Sequence, residues 1–389
     1  MDFREVKNEP IITKYMFAKA SQARIPLSGT FELSPICNFA CRMCYVRKTR
    51  KEVEQSPRPM MTCDQWLGLA KQLKEEGMLY LLLTGGEPFL WPDFWKLYTE
   101  LTKMGFLISI NTNGSLINDE VVERLKKMPP TRINITMYGA SDETYEALCQ
   151  TKGVFSKVDR AITALQDAGI TVKLNCSLTP ENVGDLEKIV DYAQQKKLIV
   201  EVAAYMFPPL RRDESMVGKN ERFTPQEAAY YNMKRYRLQY GEETYYRYLE
   251  KVAAGTAFPP VLDESCVDPV DGKLKCRAAK SAFWITWDGW LTPCGMMTQP
   301  KIDVTVGSFK DNWNRLIEAG DNIRLTGICE SCESRQMCHF CAAVALAETG
   351  SFSGVPKYLC EEVREAKKIA EKELAERKNS CIPDFIKAY

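Results

Sequence analysis

Six short apolar, β-rich runs alternate with amphipathic segments between about residues 29 and 205, and this alternation constrains the fold more than any other feature of the chain. The runs are Thr30–Leu33, Leu79–Leu83, Leu107–Ile110, Ile133–Met137, Val172–Leu178 and Ile199–Ala203. Helical signals lie between them. Thr62-Cys-Asp-Gln65 reads as a capping box ahead of Trp66, Leu69, Ala70 and Leu73, and Val158, Ala161, Ile162 and Leu165 share one face before a stop signal at Gly169. Six strand–helix units in series predict an α/β fold with a parallel sheet and right-handed crossovers. Periodicity leaves open whether that sheet closes.

Residues that carry chemistry follow the predicted strands. Cys37, Cys41 and Cys44, spaced C-x3-C-x2-C, come after the first, and Thr84-Gly-Gly-Glu-Pro88 after the second. Asn111-Thr-Asn-Gly114 follows the third, Tyr138-Gly139 the fourth, and Ser177 to Pro180 close the fifth. Three thiolates from one short loop can hold three corners of a cubane iron–sulfur cluster, because soft sulfur suits iron, and the fourth iron then stays open to a ligand. Paired glycines at 85 and 86 let the backbone come close to a bound group.

Cys37-Asn-Phe-Ala-Cys41-Arg-Met-Cys44 followed by Thr84-Gly-Gly-Glu-Pro88 resembles the radical S-adenosylmethionine enzymes. One departure is Met43, where the family often has an aromatic residue; a polarizable thioether packs against similar partners. The resemblance implies a partial (β/α)6 barrel related to the eightfold TIM barrel, with its chemistry in loops at the C-terminal ends of the strands. It further implies that the open iron chelates S-adenosylmethionine and that reductive cleavage gives a 5′-deoxyadenosyl radical. Gly85, Gly86, Glu87 and Pro88 are then expected at the cofactor's ammonium, Tyr45 at its adenine through backbone contact, and Thr136, Asn175 and Lys157 at its ribose and carboxylate.

Composition narrows the class. A chain of 389 residues suits two domains. Its 52 basic and 51 acidic residues give no nucleic-acid signal, and no apolar run approaches the ~20 residues of a membrane span. Met1-Asp-Phe-Arg-Glu-Val-Lys lacks the apolar stretch of a signal peptide, so the 15 cysteines point to metal ligation in a reducing cytoplasm rather than to disulfides. His339 is the single histidine, which excludes a histidine-rich metal site, and it reads as a local packing residue.

The C-terminal third holds a denser cysteine set. Cys276 precedes Gly289-x4-Cys294, then come Cys329-x2-Cys332-x5-Cys338-x2-Cys341 and, after a gap, Cys360; Cys266 stands upstream. Paired C-x2-C steps favour metal, and ligand type alone leaves zinc as a rival to iron–sulfur. The pattern resembles the SPASM extension of radical S-adenosylmethionine enzymes, departing only in the last spacing, two residues where three are usual. Carried over, the resemblance implies two auxiliary 4Fe–4S clusters, three in all. The first would use Cys276, Cys294 and Cys341 with Cys266 as fourth ligand, and the second Cys329, Cys332, Cys338 and Cys360. Ala282–Pro293 reads as a β-hairpin turning at Asp288-Gly289. Cys63, Cys149, Cys176 and Cys381 are left over and read as structural, with Cys176 lying nearest the expected cofactor.

Residues 1–28 then form an N-terminal arm, 29–210 the barrel, 211–262 a helical bridge and 263–389 the SPASM domain with a C-terminal helix. Thr224-Pro-Gln-Glu227 starts the bridge helix, whose tyrosines, Tyr230 to Tyr246, read as a packed aromatic face, with a substrate-contacting wall as the sharper alternative. Glu361 to Lys378 reads as a solvated charged helix. The expected activity is radical modification of a peptide or protein side chain, a thioether, carbon–carbon or ether crosslink in a ribosomally made peptide, with a flavodoxin or ferredoxin reductant and a separate leader-binding protein. Gly295 after Cys294, where sulfatase maturases carry an acid, argues against that subgroup. The rivals are a radical dehydrogenase or mutase of a small molecule and, outside enzymes, an iron–sulfur electron carrier or zinc-stabilised module.

Overall fold

The computed structural model describes residues 11–256, 272–274, 276–329, 331–338 and 340–380. Cys266, His339 and Cys381 lie outside them. Helix α1 (Ile11–Ala23) precedes strand β1 (Ser28–Glu32) and occupies much of the expected arm. Then α2 (Arg50–Glu54), α3 (Cys63–Glu75), β2 (Tyr80–Thr84), α4 (Phe94–Lys103), β3 (Leu107–Thr112), α5 (Asp119–Lys127) and β4 (Arg132–Thr136) follow. Helices α6 (Asp142–Cys149) and α7 (Phe155–Asp167), β5 (Val172–Ser177), α8 (Leu186–Gln195) and β6 (Val200–Ala203) complete the alternation. The six strands are parallel and adjacent in chain order, as the strand–helix repeat requires.

Each strand is two-faced. Phe31, Leu81, Leu83, Ile110, Ile133, Ile135 and Leu174 point to the helical layer and are buried against Trp66, Leu73, Leu97, Leu101 and Ile162. Phe31 and Trp66 have ring centroids 4.4 Å apart. Fully burying each of these side chains contributes roughly 1.5–3 kcal/mol, so the outer face fixes register. A one-residue slip would turn the apolar set onto the other face. That other face carries Glu32, Thr84, Asn111, Asn134, Thr136, Asn175 and Glu201, a polar surface of the kind a barrel interior offers to ligands.

The caps follow the sequence. Thr62 and Gln65 form the expected capping box of α3, and Gly169, at φ 72°, sits just beyond α7. Helix α9 (Pro225–Ala253) starts with Thr224 and Glu227 in a second box and is broken at Gly241 (φ 76°, ψ 169°).

Two features depart from expectation. The sheet does not stop at six strands: β7 (Ala282–Ile285) pairs in parallel with β1, and β8 (Trp290–Thr292) and β9 (Ile302–Asp303) extend it in antiparallel fashion. The predicted hairpin is present, but as a continuation of the barrel sheet. Gly29 makes the junction possible, since a Cβ there would stand 2.3 Å from the Phe283 ring. The charged C-terminal helix, α12 (Lys357–Ser380), is not merely solvated. After α10 (Phe309–Asp321) and α11 (Ala342–Thr349), it lays Val363 and Ala370 against Met233, Tyr245 and Leu249 of α9. Its charges mask an apolar stripe with helical period. Among the described residues no helix is long and apolar enough to cross a membrane.

Candidate active site

Cys37, Cys41 and Cys44 sit on the loop leaving β1, and the chain around them is shaped to face sulfur. The backbone N–H of Phe39 donates to Cys37 Sγ at 3.3 Å and that of Arg47 to Cys44 Sγ at 3.3 Å. Asn113 Nδ2 reaches Cys37 Sγ at 3.7 Å and Asn38 Oδ1 at 2.9 Å, so the loop after β3 braces the cysteine loop. Burial pushes the Cys37 thiol up to about 12 and raises Cys44 as well. Cys41 goes the other way, held below the usual thiol range by hydrogen bonds from the Cys149 thiol and the Tyr138 hydroxyl against its burial. Thiols at such a depth become thiolates only alongside a compensating cation, which an iron–sulfur cluster supplies. The three-sulfur donor set with its amide donors fits such a cluster.

The Gly-Gly-Glu-Pro loop is packed directly on this one. Gly86 N donates to Ser34 O at 2.6 Å and Glu87 N to Ile36 O at 3.0 Å. A Cβ on Gly85 would lie 2.4 Å from Ser34 O, and one on Gly86 2.5 Å from Ile36 O. The glycines therefore serve a close approach to the cysteine-bearing chain itself. Glu87 is fully buried, and its carboxylate accepts from Phe89 N at 3.1 Å, Asn113 N at 2.9 Å and Thr112 Oγ1 at 2.9 Å. Desolvation raises its pKa to about 7. Pro88, also buried, opens the short turn that follows.

Thr136 and Asn175 are register partners on the polar face, both half-buried. Lys157 stands exposed on α7. Tyr45 is half-buried with the Arg211 guanidinium 5.5 Å from its ring. Cys176 points into the apolar layer, 2% exposed, its thiol pushed up to about 12, away from the polar face.

The cysteines of the second set that the structure describes influence one another in two groups. Cys341 is influenced by Cys294 and Cys276, and burial pushes its thiol up to about 12. Cys294 is raised by burial and by Cys276. Separately, burial raises Cys329, Cys338 and Cys360; Cys360 acts further on Cys329 and Cys338, Cys329 on Cys338, and Cys332 on Cys329 and Cys360. Among the described residues no three His, Cys, Asp or Glu side chains converge tightly enough to hold a single metal ion.

Sequence reading missed the residues that join the two regions. Arg211, after β6, donates to Glu32 through Nη2 at 2.6 Å and Nη1 at 2.8 Å, and to Gly295 O at 3.1 Å. Trp284 Nε1 on β7 also donates to Glu32, at 3.0 Å. A Cβ at Gly295 would lie 2.7 Å from the Trp284 ring, so the position after Cys294 has no room for an acid. A charged residue ending an otherwise apolar strand was the one signal available for Glu32.

A model of the radical SAM superfamily matches residues 31–193. AdoMet-dependent heme synthase of Methanosarcina barkeri is 23% identical over 335 residues, covering 83% of this chain and 93% of that protein. Mycofactocin maturase MftC of Mycobacterium ulcerans is 29% identical over 171 residues, 44% of this chain and 45% of the maturase. Streptococcus suis SuiB, solved with its precursor peptide SuiA, superposes with a TM-score of 0.63 at 18% identity over 91% of this chain and 81% of SuiB. Cysteine loop, glycine loop and parallel sheet agree with these likenesses, and residues 31–193 carry a radical SAM domain.

Proposed function

We propose that this enzyme is a maturase that abstracts hydrogen from a side chain of a ribosomally made peptide and leaves a crosslink or an oxidised bond. The observation that carries the reading is the placement of the Cys37–Cys44 loop and the Cys294 turn at one mouth of the polar sheet face, tied through Arg211. When bound, the cluster of Cys37, Cys41 and Cys44 with S-adenosylmethionine supplies one-electron cleavage of the sulfonium and a 5′-deoxyadenosyl radical.

The chain's own residues do the rest. Gly85 and Gly86 hold the glycine loop against Ser34–Ile36, so that cysteines and cofactor-facing carbonyls keep one geometry. Glu87 locks that loop to the end of β3. Thr136 and Asn175 offer hydrogen bonds to a ribose or carboxylate, and Glu32, Arg211 and Trp284 close the wall towards Cys294. Cys276, Cys294 and Cys341, with Cys266, would hold one auxiliary cluster, and Cys329, Cys332, Cys338 and Cys360 the other. The peptide class draws on MftC and on SuiB with its precursor peptide. A flavodoxin or ferredoxin would supply the electron, and a separate protein leader recognition.

A second reading, a radical dehydrogenase or mutase acting on a small molecule, has behind it the likeness to AdoMet-dependent heme synthase. The test is anaerobic turnover with a deuterated precursor peptide from the gene neighbourhood. Deuterium in 5′-deoxyadenosine with a matching mass loss from the peptide supports the maturase; turnover of a heme precursor and of no peptide refutes it.

A further inference from the structure

The turn after β3 builds a closed ring of hydrogen bonds beside the first cysteine. Gly114, at φ 78°, turns the chain so that Ser115 N donates back to Asn113 Oδ1 at 2.9 Å. A backbone N–H can only donate, so this contact fixes which end of the Asn113 amide is oxygen. Its Nδ2 then faces the cysteine loop, where it donates to Asn38 Oδ1 at 2.9 Å. Asn38 Nδ2 donates in turn to Ser115 Oγ at 2.8 Å, and the Ser115 hydroxyl donates to Asn113 Oδ1 at 2.7 Å. All three donors run the same way round the ring, an arrangement in which each bond polarises the next.

Asn113 Nδ2 carries two protons, and the ring uses one of them. The same nitrogen reaches Cys37 Sγ at 3.7 Å, beside the Phe39 N–H that reaches it at 3.3 Å. Asn113 is 5% exposed, so water competes little for that second proton. Asn38 Oδ1 stands 3.9 Å from the same sulfur, where it can accept from a thiol but would repel a thiolate. The Asn113 amide sits on this oxygen and offsets its charge. Through its own backbone N–H, Asn113 also donates to Glu87 Oε2 at 2.9 Å. One residue thus holds the cysteine loop by its side chain and the glycine loop by its main chain.

We propose that Asn113 is a positioning residue of the radical centre: the ring it forms with Asn38 and Ser115 aims its spare amide proton at the Cys37 sulfur, and this raises the reduction potential of the cluster that Cys37 helps to hold. The ground is electrostatic. A reduced cluster carries one more negative charge than an oxidised one, so a donor fixed on a ligand sulfur stabilises the reduced form more. The ring matters because an amide free to turn would present its oxygen to the sulfur part of the time. The inference goes beyond the maturase reading and does not depend on it, since any substrate of this centre draws on the same one-electron step.

The test is a redox titration of the reconstituted full chain, without S-adenosylmethionine or substrate, followed by electron paramagnetic resonance. The signal read is the one missing from the variant with Cys37, Cys41 and Cys44 replaced by alanine. Asn113→Leu keeps the size and removes the donor. It should move the oxidised-to-reduced ratio about tenfold towards oxidised, a fall of about 59 mV for one electron, at unchanged iron content. Ser115→Ala opens the ring and should give a smaller fall, whereas Ser115→Thr keeps the hydroxyl and should restore the wild-type potential. A residue that only packs would change the melting temperature without this order of potentials. An unchanged or raised potential in Asn113→Leu overturns the proposal. If that variant fails to take up iron, the two Ser115 variants decide it, and equal potentials in them overturn it. Peptide turnover is not part of the measurement, so this inference and the maturase reading can fail separately.

Discussion

Arg211 grips Glu32 by both guanidinium nitrogens at 2.6 and 2.8 Å, with side chains only 11% and 1% exposed. The pair joins the C-terminal end of β1 to the loop after β6 and, through Gly295 O and the Trp284 indole, to the turn that bears Cys294. Removing one partner leaves a buried, unpaired charge. Arg211→Met or Glu32→Leu should therefore destabilise the protein by about 3–5 kcal/mol, while the double variant should lose clearly less than the sum of the two. Urea unfolding of the three variants measures this; additive losses would show that the charges do not depend on each other.

The glycine loop is predicted to be intolerant of a single methyl. Gly86→Ala puts a Cβ 2.5 Å from Ile36 O, a backbone atom that cannot swing aside. The cost should be about 1–3 kcal/mol, and the displaced loop should cost the protein roughly four of about twelve irons after anaerobic reconstitution. Iron analysis decides it, and full iron content in the variant would separate the glycine from the cysteine loop.

Glu87 predicts a pH dependence of stability. Its folded pKa is raised from 4.5 to about 7 by burial, so the folded chain holds a proton that the unfolded chain releases. Stability contributed this way is complete below pH 4.5 and is lost as pH rises to 7. The loss is on the order of 3 kcal/mol. Glu87→Gln cannot titrate, and the Thr112 hydroxyl can turn to accept from its amide. The wild-type minus variant difference in unfolding free energy should fall across pH 4.5 to 7 and stay flat above; a flat difference throughout would mean that the carboxyl keeps its ordinary pKa.

Cys149 should tune the first cysteine site. Its thiol is the largest influence holding Cys41 below the usual thiol range. Hydrogen bonds to cluster sulfurs raise reduction potentials, so Cys149→Ala should lower the potential of that centre while its iron content stays unchanged. Redox titration followed by electron paramagnetic resonance reads the shift, and an unmoved potential would make Cys149 a packing residue only.

Much of this was legible beforehand because it is local. Strand alternation, the capping boxes at Thr62 and Thr224 and the Asp288-Gly289 hairpin all depend on neighbours within a few residues. The relationships that were not legible are long-range pairings of chemically ordinary residues. Arg211 with Glu32, and β7 with β1, join positions some 180 and 250 residues apart, and no periodicity encodes them. Glu87 was expected at the cofactor from its motif, yet its acceptor role towards Thr112 and Asn113 depends on where β3 ends. The apolar stripe of α12 was hidden by its charge density.

The radical centre itself is open to one direct measurement. Reconstituted enzyme, reduced under anaerobic conditions with S-adenosylmethionine, should release 5′-deoxyadenosine. The variant with Cys37, Cys41 and Cys44 all replaced by alanine should release none while keeping about eight irons. Release of 5′-deoxyadenosine by that triple variant, or none from wild type carrying about twelve irons, would contradict the assignment.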